Sequence, residues 1–112
     1  MSATDKIKEA DWRLFRSRLP IWQEAYMERL NKEYIQLLSS EEKASDKFWA
    51  LEKRIYQDKR SPGVIVQLRR RDMPIQLASL LRDGAITRDD LQGFSPELQE
   101  YLGLLLGESR RK

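Results

Sequence analysis

The residues most able to do chemistry lie in one stretch, KRSPGVIVQLRRRDMP, residues 59–74. Lys59, Arg60, Arg69, Arg70 and Arg71 flank a short apolar segment that opens with Ser61-Pro62-Gly63. Residues 53–71 carry a net charge of +6, whereas residues 1–52 sum to −1 and residues 72–112 to −2. The basic excess is therefore local and calls for a local explanation. Ser61-Pro62 reads as a cap-plus-proline helix start. Free backbone N–H groups there, beside Lys59 and Arg60 and opened by Gly63, would form an anion site. Arg69, Arg70 and Arg71 would sit at the far end of the same short helix, about 13–15 Å away. Lys59, Arg60, Ser61, Gly63, Arg69, Arg70 and Arg71 are thus the candidate anion- or partner-binding residues. Arginines near a helix C-terminus also stabilise the helix dipole and keep the segment solvated, and that reading stands beside the first.

A second set is LRDGAITRDDLQGF, residues 81–94, which has the Gly-x-Ile and acidic run of an EF-hand. With Gly84 as the loop glycine and Ile86 as the hydrophobic position, Ser79 and Leu81 fall at positions 1 and 3 and Asp90 at position 12. Only Asp83 and Asp90 fit calcium's need for oxygen ligands, so no metal is expected. Local capping explains the pattern better: Gly84 as a left-handed C-cap, then Thr87 as an N-cap with Asp90 at the capping-box position. A DNA-reading hairpin is disfavoured, because Arg88-Asp89-Asp90 would turn two acids toward the phosphates.

Trp12, Trp22, Trp49, Tyr26, Tyr34 and Tyr56 could stack nucleobases beside a basic groove, but their helical spacing reads as core. The chain has no cysteine and no histidine. Thiol nucleophiles, thiolate metal sites and the commonest general base are absent. The acid pairs Glu41/Glu42 and Asp89/Asp90 are adjacent and point apart, and no glycine-rich phosphate loop is present. No enzymatic activity and no cofactor are expected. The longest strongly apolar run is LGLLLG at 102–107, and the N-terminus shows no apolar signal segment. A soluble, cytoplasmic protein with no membrane contact is the expectation.

The elements that must position these residues are helical. Hydrophobic residues make up 40% of the 112 and charged residues 35%, enough apolar mass to offset ordering entropy in one domain. The spacing predicts helices over about 9–19 and 20–39, separated by Pro20, the second carrying Trp22, Tyr26, Leu30, Tyr34, Leu37 and Leu38 on one stripe. A third, about 46–59, is capped by Ser45, with Phe48, Leu51 and Ile55 on one face. Residues 62–70 read as a short helix with Val64, Ile65 and Leu68 inward, since an isolated strand would lack a partner. Asp72 caps a helix over 73–82, Thr87 a helical turn, and Ser95-Pro96 opens a last helix over 96–106 ended by Gly107. The expected fold is all-α: a compact single-domain bundle of six to seven short-to-medium helices without a sheet, residues 1–8 and 108–112 frayed.

Taken together, DWRLFRSRLPIWQEAYMERLNKEYIQLL, FWALEKRIYQDKRSPGV and DGAITRDDLQGFSPEL resemble a family of small helical bacterial proteins, mainly from anaerobic Firmicutes, that has no assigned activity. The resemblance brings no catalytic or ligand residues. The functional expectation is a non-enzymatic interaction or regulatory module presenting a helical surface to a protein partner, with the basic edge at 59–71 as the contact. Sequence-nonspecific nucleic-acid binding by the same edge is the alternative. A homodimer is a third, because the long helix over 20–39 carries more apolar surface than a chain of this length covers.

Overall fold

The computed structural model describes residues 7–107. Of the expected frayed ends, residues 1–6 and 108–112 lie outside the described residues; Ile7 and Lys8 form a non-helical lead-in. The described chain is helical, with no strand. There are four α-helices rather than six or seven: α1 (Glu9–Leu38), α2 (Ala44–Asp58), α3 (Met73–Arg82) and α4 (Pro96–Leu105). Among the described residues there are also two 3-10 turns, Arg70–Asp72 and Arg88–Leu91. Among the described residues no helix is long and apolar enough to cross a membrane.

The first two expected helices are one. α1 runs unbroken through Pro20. A proline inside a helix removes one hydrogen bond and costs about 3 kcal/mol against alanine. Pro20 is on the exposed face, so the Arg16 carbonyl that loses its donor can turn to water. Phe15, Leu19 and Trp22 lie on the opposite stripe and are all buried in the same core. Breaking the helix at Pro20 would separate them, and their burial outweighs one bond.

That core joins the N-terminal half of α1 to α3 and α4 and to the turns between them. Phe15, Met73, Leu77, Leu80, Leu91 and Leu102 are essentially inaccessible. The chain leaves α3 through the expected glycine cap: Gly84 has φ +78°. Ala85 N–H donates to Leu80 O at 2.9 Å and Gly84 N–H to Leu81 O at 3.2 Å, the paired bonds of a Schellman motif. Thr87 and Asp90 form the expected capping box, here at the head of a single 3-10 turn. The Ser95 hydroxyl caps α4, accepting from Leu98 N–H at 3.2 Å. Neither Ser45 nor Asp72 acts as a side-chain cap. α2 begins at Ala44, before Ser45 can serve, and Asp72 already belongs to a 3-10 turn.

The expected helix over 62–70 does not form. Ser61–Val64 make a tight turn, closed by Val64 N–H to Ser61 O at 2.9 Å, and residues 65–69 have no regular secondary structure, Arg69 at their end being extended with φ −140° and ψ 130°. Reach explains it. Gly63 lies against Tyr26, and Arg70 pairs with Glu9 near the start of α1. Tyr26 and Glu9 are about 25 Å apart along a helix rising 1.5 Å per residue. Seven extended residues span about 23–25 Å; seven helical ones would span about 10 Å. The segment is therefore a strap running back along α1. Ile65 and Leu68 are consequently exposed rather than inward, Val64 is half-buried and Val66 packs on the core.

α2 is the outlier of the fold. It has no buried residue. Trp49 and Tyr56, expected in the core, are each 62% exposed, as is Phe48; Ile55 is 39% exposed. Trp12, Trp22 and Tyr26 do lie in or against the core, and Tyr34 is half-buried.

Candidate functional site

The anticipated anion site rested on free N–H groups at Ser61-Pro62-Gly63. Those groups are occupied. The buried Ser61 hydroxyl accepts from Gly63 N–H at 3.0 Å, and Ile65 N–H, like that of Val64, donates to Ser61 O. The Pro62 carbonyl accepts from the Gln23 amide of α1 at 2.9 Å. Gly63 is buried against the Tyr26 ring; a Cβ there would lie 2.4 Å from Tyr26 Cδ2. Glycine at 63 is thus a packing requirement between strap and helix.

The five cations do not form one edge. Lys59 and Arg60 are exposed just past the C-terminal end of α2. Arg60 borders a cleft with Tyr26, Gln57, Asp58, Ser61 and Asp83. Lys59 borders an adjoining apolar groove of about 190 Å³ with Leu30, Tyr34, Ile55 and Val64. Arg70 lies at the other end of the strap, its guanidinium 2.6 Å from Glu9 Oε1 and 3.2 Å from the Ile7 carbonyl. Arg69 donates to the side-chain oxygen of Gln67 at 3.1 Å, and Arg71 is exposed. The two groups stand roughly 25 Å apart, the length of α1 that the strap follows. The Arg70 guanidinium holds the Glu9 carboxyl below the usual glutamate range. Arg70 is therefore already committed to a carboxylate of its own chain.

What the tertiary structure does bring together is the α1–α2 hairpin. Beside that apolar groove, its inner face carries a polar network. Arg54 lies 2.6 Å from Glu33 and 3.4 Å from Asp58, and Tyr34 donates its hydroxyl to Asp58 Oδ2 at 2.5 Å. Burial, then the Asp58 hydrogen bond, pushes the Tyr34 hydroxyl up to about 12. The hydrogen bond to Glu33 raises Arg54 above its ordinary value. Lys47 donates to the carbonyls of Leu38 and Ser40, closing the turn between the helices. Lys47, Ala50, Leu51, Arg54 and Asp58 are the half-buried residues of α2, at three- and four-residue spacing.

The outer face of α2 is left to solvent. Phe48 and Trp49 meet edge to face, with ring centroids 4.9 Å apart at 87°. Tyr56 follows two turns after Trp49, whereas Ile55 sits at the edge of this face and borders the groove against α1. Glu52 and Lys53 lie between the two apolar pairs, and Asp46 and Lys59 bracket them. Sequence reasoning missed this surface. A signal was present: apolar residues fall on two sides of α2 at once, and one of those sides had to be outside.

Two α1 arginines were also missed. Arg18 donates to the carbonyls of Asp90 and Gln92, and Arg29 to those of Gly84 and Ala85. They tie α1 to loop carbonyls, and nothing in the local sequence marks them for it. Asp11, buried at 4% exposure, accepts from both the backbone N–H and the hydroxyl of Ser95. Among the described residues no three acidic, histidine or cysteine side chains converge on a possible metal position. Comparison with protein-family models, with curated proteins and with solved structures gave no match.

Proposed function

We propose that this protein is a non-enzymatic cytoplasmic interaction module that works by presenting the outer face of the α1–α2 hairpin. One observation carries the reading: a fifteen-residue helix with Phe48, Trp49, Ile55 and Tyr56 buries none of them. Exposed aromatic side chains grouped on one helix face favour an interface, since each offers large contact area at low entropy cost. Lys59 and Arg60 form the basic end of that surface. Arg69 and Arg71 lie outside it, and Arg70 holds the strap. A photo-crosslinking residue in place of Trp49, introduced into the protein in its native cells, tests the reading. Crosslinked protein well above the level from the same probe at Glu100 is expected. Equal labelling at both positions would remove the interaction reading.

A second reading has one observation in its favour. Trp49, Lys53, Tyr56 and Arg60 recur at helical spacing, so aromatic rings alternate with cations along one stripe. Such a stripe suits single-stranded nucleic acid, with bases stacked on rings and phosphates on cations. Anisotropy of a labelled single-stranded RNA, titrated at low and near-physiological salt, discriminates. This reading expects micromolar binding that weakens steeply with salt. No binding at low salt discards it.

A further inference from the structure

The groove of about 190 Å³ that Lys59 borders lies between three segments: α1, the end of α2 and the turn that opens the strap. Leu30, at 7% exposure, is the most buried residue lining it. Met27, Tyr34 and Val64, all half-buried, and Ile55 complete its apolar walls. Three polar side chains also border it: Asn31, Asp58 and Lys59. They are not equivalent. The Asp58 carboxylate is committed, accepting the Tyr34 hydroxyl at 2.5 Å and lying 3.4 Å from Arg54. The Asn31 carboxamide and the Lys59 ammonium are exposed, and neither group makes a hydrogen bond or an ion pair with another described residue. Both can donate hydrogen bonds, and one is a cation.

We infer that this groove is a binding site for a small monocarboxylic acid with an apolar body, whose carboxylate is held by Lys59 and Asn31. The site is separate from the outer aromatic face of α2 and stands without it. Its volume sets the size of the ligand. An apolar cavity of about 150 Å³ takes benzene, so about 190 Å³ takes, in proportion, a body of about seven carbon atoms. A helix of a partner protein, about 10 Å across, does not enter a recess of that volume. Water gains little there, because the side chains of Met27, Leu30, Ile55 and Val64 offer it no hydrogen bond.

The polar side chains set the head group. A carboxylic acid is ionised at neutral pH, and its oxygens need donors once they leave water. Lys59 supplies an ammonium and Asn31 a carboxamide N–H, neither of them used within the described chain. A cationic ligand would be repelled by Lys59, and the carboxylate it would seek, that of Asp58, is already shared by Tyr34 and Arg54. An apolar body in the groove with an anionic head at its edge therefore satisfies every free group that the groove presents.

Methyl-resolved NMR of the full chain, titrated with sodium octanoate up to about 10 mM, tests the inference. Saturable shifts are expected on Met27, Leu30, Ile55 and Val64, all following one isotherm. Octylammonium carries the same tail with the opposite charge and should bind about 10-fold more weakly. Lys59→Glu should reverse that preference. Lys59 is exposed and its ammonium has no partner among the described residues, so far-UV circular dichroism of the variant should match the parent. Ile55→Trp fills the groove from its edge and should remove octanoate binding. Trp49→Ala, on the outer face, should leave that binding unchanged. The absence of any saturable shift overturns the inference. So do shifts centred on Trp49, loss of binding in Trp49→Ala, or an octanoate preference that Lys59→Glu does not alter.

Discussion

The guanidinium of Arg70 lies 2.6 Å from the carboxylate of Glu9, across a sequence separation of 61 residues. This contact ties the end of the strap to the first turn of α1. It also removes the central arginine of Arg69-Arg70-Arg71 from any shared basic edge. Glu9 is exposed and is also paired with Arg13 at 3.2 Å. Because its folded pKa lies below the unfolded value, its contribution to stability is present above the unfolded value, near 4.3, and is lost as pH falls through the folded one. In Arg70→Gln the Glu9 carboxyl should titrate at higher pH than in the parent, by NMR. An unchanged midpoint would mean that the ion pair does not persist in solution.

Tyr34 and Asp58 make the opposite case. The Tyr34 hydroxyl is pushed up to about 12, so the folded state holds that proton more tightly than the unfolded chain, where it leaves near 10. The contribution is complete below pH 10 and is lost as pH rises from about 10 to 12. Tyr34→Phe is expected to cost about 1–2 kcal/mol at neutral pH, since a hydrogen bond to a charged acceptor is removed. The gap between variant and parent should close over that alkaline window in denaturant unfolding. A gap that persists at pH 12 counts against the assignment.

Gly63 and Gly84 separate two reasons for glycine. Gly63→Ala drives a Cβ to 2.4 Å from the Tyr26 ring, and is expected to cost about 1–3 kcal/mol through overpacking. Gly84→Ala meets nothing within 4 Å but must hold φ +78°, at about 1 kcal/mol. Tyr26→Ala should relieve the first penalty and leave the second untouched. Thermal unfolding of the two double variants decides this, and equal effects at both glycines would refute it.

Pro20 is exposed in the interior of α1, so Pro20→Ala should stabilise the protein by about 1–3 kcal/mol by restoring the hydrogen bond to Arg16 O. A loss of stability would show that the ring makes a contact worth more than that bond.

The helical class, the Gly84 cap, the Thr87–Asp90 capping box, the Ser95 cap and the stop at Gly107 were legible from residue order alone. Each is a contact within a few residues, and the chemistry that makes it is adjacent in sequence. The apolar spacing of Trp12, Phe15 and Leu19 likewise fixes which side of the N-terminal part of α1 faces a core. Three features were decided only by the fold. Pro20 reads as a break, but the shared burial on either side of it, a long-range quantity, carries the helix through. Residues 62–70 read as a helix, but the roughly 25 Å between the anchors at Tyr26 and Glu9 requires extended chain. The aromatic residues of α2 read as core because helical spacing reports that a face exists and not which face is covered. Arg54 and Asp58 settle that. They turn inward to Glu33 and Tyr34, partners on another helix, and leave Phe48, Trp49 and Tyr56 outside, with Ile55 at the edge of the groove against α1. Local order is set by interactions the sequence lists side by side. The choice of face is set by partners that only folding brings within reach.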